Sequence, residues 1–498
     1  MAAALEDTAP GGRAAEPVGP HDGRPDAPRD GRRWPALVLI ALAQLMVVLD
    51  STIVNIALPS AQRDLGFSND SRQWIVTAYS LAFGSLLLLG GRIADMIGRK
   101  RAFLIGLVGF AGASAVAGAA PSFDVLIVGR ALQGAFGALL APTALALLTT
   151  TFTDGRERAK AFGVYGAVAG MGGGVGLLLG GALTEHLNWR WCLYVNLFFA
   201  AIAFAGAVPV LPRQARDRAV RIDVPGAAAI TAGLFCVVYG FANAETHGWS
   251  AVSTWGFLVA GALLIAVFVA LQTRVAHPLL PLRVLADRDR AGSFLAVLIA
   301  GAGIFGVNLF LIYYLQQVLH YSPMATGLAV LPMVASIMAT SNLATNLLIP
   351  RYGFKPVVPL GMALAAGGLI WMTRLAAHSG YAAHVLPTVI VFGLGIGLIL
   401  APGMSGATVG IAPADAAVGS AGVNTMQQIG GSIGTALLST LSASAAANYL
   451  IGRPSTAAVE VQSALTGYAT AYRWAAAIFV FGCVACALLF RRRAAQAR

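Results

Sequence analysis

About fourteen times along its 498 residues, this sequence runs apolar for long enough to cross a bilayer as a helix. Such a crossing takes roughly 20 residues at 1.5 Å rise each. In hydrocarbon a lone segment satisfies its backbone polar groups only by coiling into a helix. The runs are Pro35 to Leu58, Trp74 to Gly90, Ala102 to Ala120, Val125 to Thr150, Ala161 to Leu183, Cys192 to Leu211, Val224 to Asn243, Val252 to Thr273, Ala291 to Leu319, Ala325 to Ile349, Val357 to Leu375, Val385 to Ile411, Ala421 to Ala446 and Ala469 to Phe490. Only 11% of the residues are charged, against about 25% in a soluble domain. The chain is therefore predicted to be an all-α polytopic membrane protein.

The net charge of +12 could point to nucleic acid, but the cations are scattered through short loops. They read as topology determinants rather than a phosphate-binding stripe, so no nucleic acid partner is expected. With the N-terminal tail inside, about 26 of the Lys and Arg residues fall in cytoplasmic segments, about 6 in external ones, and Arg130 within the membrane. The even count puts both termini in the cytoplasm of a multi-pass plasma-membrane protein. Residues 1–33, rich in Pro, Gly and mixed charge and without a signal peptide, read as a disordered cytoplasmic tail. Residues 491–498 read as a basic cytoplasmic tail. All four cysteines fall inside apolar runs and read as small buried hydrophobes.

Between the second and third runs stands a charged hairpin, Gly91-Arg92-Ile93-Ala94-Asp95-Met96-Ile97-Gly98-Arg99-Lys100-Arg101. Gly91 and Gly98 permit a tight reversal, and Asp95, among four cations, is an ion-pair acceptor. A worn copy, Pro350-Arg351-Tyr352-Gly353-Phe354-Lys355-Pro356, follows the tenth run. Two hairpins at matching places predict two six-helix bundles, 34–211 and 291–490, with two extra helices and their linkers inserted at 212–290. Parallel repeats about an axis along the membrane normal have this pattern.

Of the acidic residues, Asp50 alone lies well inside the hydrocarbon, and Arg130 is the one basic residue at depth. A carboxylate there costs several kcal/mol unless paired, protonated or wetted, which makes it a functional candidate. Asp50 lies about 15 residues, roughly 22 Å, above the inner face; Arg130 lies about 7 residues, roughly 10 Å, below the outer face. In a core about 30 Å thick the two reach similar depth, so they can pair or compete. Arg130, Gln133, Gly134 and Gly137 share a helix face. A purely structural reading stands beside this one, with Arg130 tying helices together and Asp50 bonded within its own helix.

Several of these stretches resemble a known family. Gly-Arg-x-x-Asp-x-x-Gly-Arg-Lys between helices looks like the loop after the second helix of major facilitator transporters. Leu49-Asp50-Ser51-Thr52-Ile53-Val54-Asn55-Ile56-Ala57-Leu58-Pro59 resembles the first helix of the fourteen-helix drug:proton antiporters, the EmrB/QacA-type group. Arg130-Ala131-Leu132-Gln133-Gly134 is similar to that group's proton-relay element. Asn188 to Trp191, Tyr314 to Leu319 and Gly419 to Thr425 also match its patterns. The resemblance covers residues about 35 to 490. It implies a proton-driven exporter with Asp50 and Arg130 in coupling, and a cytoplasmic gate built from Gly91, Arg92, Asp95, Gly98, Arg99 and Lys100. One departure is Leu177 in Gly172-Gly173-Gly174-Val175-Gly176-Leu177-Leu178-Leu179-Gly180-Gly181, where such antiporters usually carry Pro. Gly172, Gly176, Gly180 and Gly181 still allow close helix packing.

Intramembrane amides suggest a substrate cavity lined by Gln44, Asn55, Gln133, Asn308, Gln316, Asn342, Asn346, Asn424, Gln427 and Gln428, although each could equally bond a neighbouring helix. Gln44 and Asn55 share a face turned about 120° from Asp50, which would separate substrate contact from proton handling. No Gly-x-x-x-x-Gly-Lys loop, His-Glu-x-x-His pair or intramembrane carboxylate cluster occurs. Catalysis, a metal, a cofactor and ATP-driven pumping are therefore not expected. The favoured function is export of a small lipophilic substrate, such as an antibiotic made by the host, in exchange for protons by a monomer embedded in the lipid bilayer. A nutrient importer or uniporter of the same fold is the alternative, and a membrane-embedded enzyme a distant one. With one carboxylate to serve, the cargo is expected to be neutral, monocationic or zwitterionic.

Overall fold

A computed structural model describes residues 32–491, apart from 69–70, 153, 212–222, 276–277, 280–286, 409–415 and 455. The two expected tails lie almost wholly outside the described residues. Among the described residues there is helix and no strand.

The first six helices are α1 (Arg33–Leu65), α2 (Gln73–Ile97), α3 (Arg99–Gly118), α4 (Phe123–Thr151), α5 (Gly155–His186) and α6 (Trp191–Val210). Next come α7 (Val224–His247) and α8 (Val252–Arg274). The last six are α9 (Arg288–Tyr313, prolonged by a π-helical turn, Tyr314–Val318), α10 (Pro323–Leu343, prolonged through Ala344–Leu348 and Ile349–Tyr352), α11 (Phe354–Met372), α12 (Leu386–Thr408, entered through Tyr381–Val385), α13 (Ala416–Leu450) and α14 (Ala457–Leu489). Short polar side chains open several of them. Asp223 Oδ1 accepts the Gly226 N–H ahead of α7, and Ser322 Oγ accepts the Ala325 N–H at the start of α10.

Twelve of the described helices are long and apolar enough to cross a membrane, or thirteen if the two pieces of α2 count as one span. α5 is not in that set, so the expected fourteen is not reached.

Packing divides the helices into two groups and a pair. α1 to α6 pack mainly among themselves, as do α9 to α14. The groups meet along two seams, α2 against α13 and α5 against α10. Each seam sets the second helix of one group against the fifth of the other, which is the exchange a two-fold repeat requires. α7 lies across the first seam and touches both α2 and α13, while α8 packs on α7. Gln272 Nε2 of α8 donates to Asp223 Oδ2 at the foot of α7, 2.7 Å away.

The charged hairpin is tighter than the sequence suggested. Gly91 lies inside α2, and the chain reverses at Gly98 alone, with φ at 92°. The matching joint between α10 and α11 is Gly353, φ 77°. Both positions need a backbone that L side chains resist. The repeat thus extends to the backbone geometry of its two joints. Below, the end of the molecule carrying Gly98 is the hairpin end, and the other, carrying the α1–α2 connection, is the Arg72 end.

Candidate functional site

Asp50 sits in the middle of α1 and is wholly buried; Arg130 on α4 is 2% exposed. Arg130 Nη1 donates to Asp50 Oδ2 at 2.6 Å and to Gln133 Oε1 at 2.9 Å. Its Nε donates to the Ile75 carbonyl at 3.2 Å, and its guanidinium lies 4.4 Å from the centre of the Tyr79 ring. Asp50 Oδ1 accepts from Gln133 Nε2 at 2.9 Å and from Asn196 Nδ2, on α6, at 2.7 Å. Both amide groups also donate to Ser114 Oγ of α3 at 3.0 Å, and Ser114 donates to the Leu193 carbonyl at 2.7 Å. Five helices therefore converge on one carboxylate.

The energetics follow from burial. Each ion alone would carry a desolvation penalty of several kcal/mol; paired and multiply hydrogen-bonded, the two are held. The geometry also sets a chemical condition. Every hydrogen-bond partner of the Asp50 carboxylate is a donor, so an O–H formed there by protonation meets no acceptor until a partner rearranges.

The sequence brought Asp50, Arg130 and Gln133 forward, but it cast Gln133 as a cavity liner. Its amide instead completes the ion-pair network and is fully buried. Asn196 and Ser114 were missed. The available signal was weak: Asn196 is one amide in the apolar run Trp191–Val210, and Ser114 is a small residue among alanines and glycines.

The other expected cavity residues are dispersed. Gln44 Oε1 accepts from Tyr165 of α5 at 2.7 Å. Asn55 donates to the Ser51 carbonyl one turn back, and Gln316 Nε2 crosses to the Ile56 carbonyl of the other group at 3.2 Å. Asn308 Oδ1 is buried without a hydrogen-bond partner. Asn342 and Asn346 are exposed on α10, Asn424 and Gln427 are half-buried, and Gln428 meets Gly84 across the α2–α13 seam. Among the described residues, one small crevice is lined by Ser80, Leu234 and Ile433 and another by Val54, Leu126 and Trp189, and neither has room for more than about one water. None of the expected cavity residues lines either one.

Around Gly98, Arg99 Nε pairs with Asp95 at 3.1 Å and Arg99 Nη1 reaches the Ala146 carbonyl of α4. Lys100 Nζ donates to the Val208 and Leu211 carbonyls at 2.7 and 2.6 Å, capping the end of α6. Arg92 donates to the Pro278 carbonyl, between α8 and α9. These contacts hold the hairpin to its own group and to the connection after α8.

Polar bridges between the groups gather at the opposite end. Tyr313 of α9 donates to Gln62 of α1 at 2.8 Å, and the Arg72 guanidinium stacks 4.0 Å above the Tyr313 ring. Glu185, at the tip of α5, accepts from the Met324 N–H in the first turn of α10 at 3.1 Å. Its carboxyl is held below the usual carboxylate range, first by the Ser322 hydroxyl and then by that N–H.

α5 lies against α1 through glycine. A side chain at Gly172 would meet Val48, one at Gly176 would collide with Thr52, and one at Gly180 would come within 2.9 Å of Ile53. Gly181 faces α10 in the same way, 2.7 Å from the Met324 Cα. α5 runs unbroken past Leu177.

The family model of the Major Facilitator Superfamily matches residues 40–435. Among curated proteins, the chain is 49% identical to "Puromycin resistance protein pur8" of Streptomyces alboniger, over 91% of each chain. It is 38% identical to "Cephamycin export protein CmcT" of Amycolatopsis lactamdurans, over 82% of this chain and 85% of that one. It is 37% identical to the "Tetracenomycin C resistance and export protein" of Streptomyces glaucescens, over 83% and 77%. Among solved structures, the POT family transporter PepTSo superposes with a TM-score of 0.66 at 13% identity, covering 91% of this chain and 97% of that one. A bacterial homologue of the human lysosomal transporter Spinster gives 0.63 at 15% identity, over 93% and 97%.

Proposed function

The chain belongs to the major facilitator superfamily, and on that premise we propose that it exports an antibiotic-like lipophilic molecule in exchange for protons. Its relatives support the cargo class: three are named for resistance to, or export of, puromycin, cephamycin and tetracenomycin C. One observation carries the proton half of the proposal: a carboxylate, wholly buried in the middle of α1, is held by an arginine and two amides at 2.6–2.9 Å. Such a carboxylate is expensive to keep in hydrocarbon, and proton relays are among the functions that retain one there.

In this reading the hairpin end faces the cytoplasm, as its cations favour, and the Arg72 end faces outward. The bridges Gln62–Tyr313, Arg72–Tyr313 and Glu185–Met324 then form a closed outer gate. Asp50 loads a proton, its hold on Arg130 weakens, and the balance between the two closed seams shifts. Substrate and proton exchange places as the two groups rock about the shared site. The protein works as a monomer, since the site lies wholly within the first six helices. With Asp50 the single acid at depth, a dicationic cargo would be poorly compensated and should not be exported.

Reconstituted vesicles test the proposal. Puromycin movement should follow an imposed pH gradient in the wild type and lose that dependence in Asp50→Asn, with the variant still inserted. Transport by Asp50→Asn that follows the gradient as the wild type does would remove Asp50 from the mechanism.

A further inference from the structure

We propose that Asn196 is the positioning residue that lets Asp50 take up and release its proton inside a closed network, by a half-turn of its side-chain amide. The inference rests on the reading of Asp50 as the proton carrier and adds how the carrier is served.

Asn196 is wholly buried. Its Nδ2 donates to Asp50 Oδ1 at 2.7 Å and to Ser114 Oγ at 3.0 Å, while its Oδ1 is buried with no hydrogen-bond partner. A buried acceptor left unmade costs free energy, so an orphan oxygen in an otherwise satisfied network calls for a reason.

Protonation of Asp50 supplies one. The carboxylate is surrounded by donors: Arg130, Gln133 and Asn196. Once it carries a proton, its new O–H must donate, and the present arrangement offers no acceptor. Arg130 has none to give, since a guanidinium is a donor throughout. Gln133 could offer its oxygen only by breaking the charge-assisted hydrogen bond that Oε1 accepts from Arg130. The Asn196 oxygen is uncommitted.

A rotation of about 180° about the last side-chain bond of Asn196 exchanges Nδ2 and Oδ1, which occupy nearly equivalent positions. It brings the acceptor to the Asp50 O–H. Ser114, then facing an oxygen, turns its O–H from the Leu193 carbonyl to Asn196 and keeps the bond it accepts from Gln133. No covalent bond in Asn196 changes. One proton joins Asp50 Oδ1 from a hydronium ion of the medium, one O–H of that ion breaking as the carboxyl O–H forms and water being left, and the reverse turn accompanies its loss.

The titratable and charged groups packed around Asp50 are Arg130 on α4, Tyr79 on α2 and Cys192 on α6. Tyr165 of α5 reaches α1 at Gln44 instead. Among the described residues, only Arg130 of these is hydrogen-bonded to Asp50.

The test uses the full-length protein in liposomes. The infrared difference spectrum between acid and alkaline pH contains a carboxylic C=O stretch from protonated Asp50, identified as the band that Asp50→Asn removes. Asn196→Leu, nearly isosteric but unable to hydrogen-bond, should move that band to higher wavenumber. It should cut pH-gradient-driven puromycin export about tenfold. Asn196→Ser, whose hydroxyl donates and accepts, should restore much of both. Asn196→Leu with the wild-type band and wild-type pH dependence would overturn the inference. If Asn196→Leu does not fold, Asn196→Ala decides: a band moved to higher wavenumber with weakened coupling supports the turn, and a band and coupling identical to wild type contradict it. Unaltered gradient-driven export in Asp50→Asn would instead overturn the proton-carrier reading itself.

Discussion

Asp50 and Arg130 stand 80 residues apart in the chain and 2.6 Å apart in space. Removing either partner alone leaves the other buried and uncompensated, a loss of about 3–5 kcal/mol. Arg130→Ala should therefore lower the melting temperature of the purified protein more than the double variant with Asp50→Asn does. A thermal melt in detergent measures this; equal melting of single and double variants would show that the pair is not what Arg130 stabilises. Arg130→Lys should recover part of the stability, because an ammonium can face Asp50 but cannot fork to Gln133 and the Ile75 carbonyl together. The acid and the base were legible in the sequence because charge in hydrocarbon is rare and depth can be counted along a helix. Asn196 and the true place of Gln133 were not. A helical face shows which residues point the same way, and it does not show whether they point at water or at the next helix.

At the level of elements, α5 works through what it lacks. Gly176 and Gly180 bring it close enough to α1 that its backbone lies against Thr52 and Ile53, next to Asp50. Gly180→Leu should force the two apart at a cost of about 1–3 kcal/mol. It should impair transport without touching any ionisable group, which a transport assay on folded protein reads directly. The other end of α5 carries a pH-dependent bridge. Glu185, held below the usual carboxylate range by Ser322 and the Met324 N–H, supports the closed Arg72 end while it is ionised. Its support is complete above the ordinary carboxylate range and is lost as pH falls through the lowered value. Accessibility of a cysteine placed in this gate should rise at acid pH in the wild type and be already raised, and independent of pH, in Glu185→Gln. The missing proline at Leu177 was visible in the sequence; α5 runs unbroken there, as α1 and α4 do through Pro59 and Pro142. The position of the hairpin turn was not visible, because glycine is permitted inside a helix as well as at a joint: Gly91 took the first role and Gly98 the second.

Across the whole molecule, the α2–α13 seam holds a row of buried hydroxyls. Thr77 and Ser80 on α2, and Thr435 and Ser439 on α13, carry oxygens with no hydrogen-bond partner in this state. Each such group costs about 1–3 kcal/mol, so the seam is closed but not tightly so. Opening it to water would relieve that cost, which is what a surface that must part in every cycle needs. Thr435→Val should stabilise the closed seam, raise the melting temperature and slow turnover; a lower melting temperature would show that the hydroxyl is satisfied. The helical class and the two-fold plan were legible from run lengths and the paired hairpins, since both follow from bilayer thickness and chain reversal. The number of spans was not settled by run length alone. Nor was the place of α7 across the seam, because lipid-facing and helix-facing apolar surfaces have the same composition.

The most direct test of the account is a count of protons. Purified protein in weakly buffered detergent solution should release a proton to the medium when puromycin binds, by an amount that vanishes in Asp50→Asn. Binding of puromycin with no proton release in the wild type, or with equal release in Asp50→Asn, would contradict the claim that this carboxylate couples export to the proton gradient.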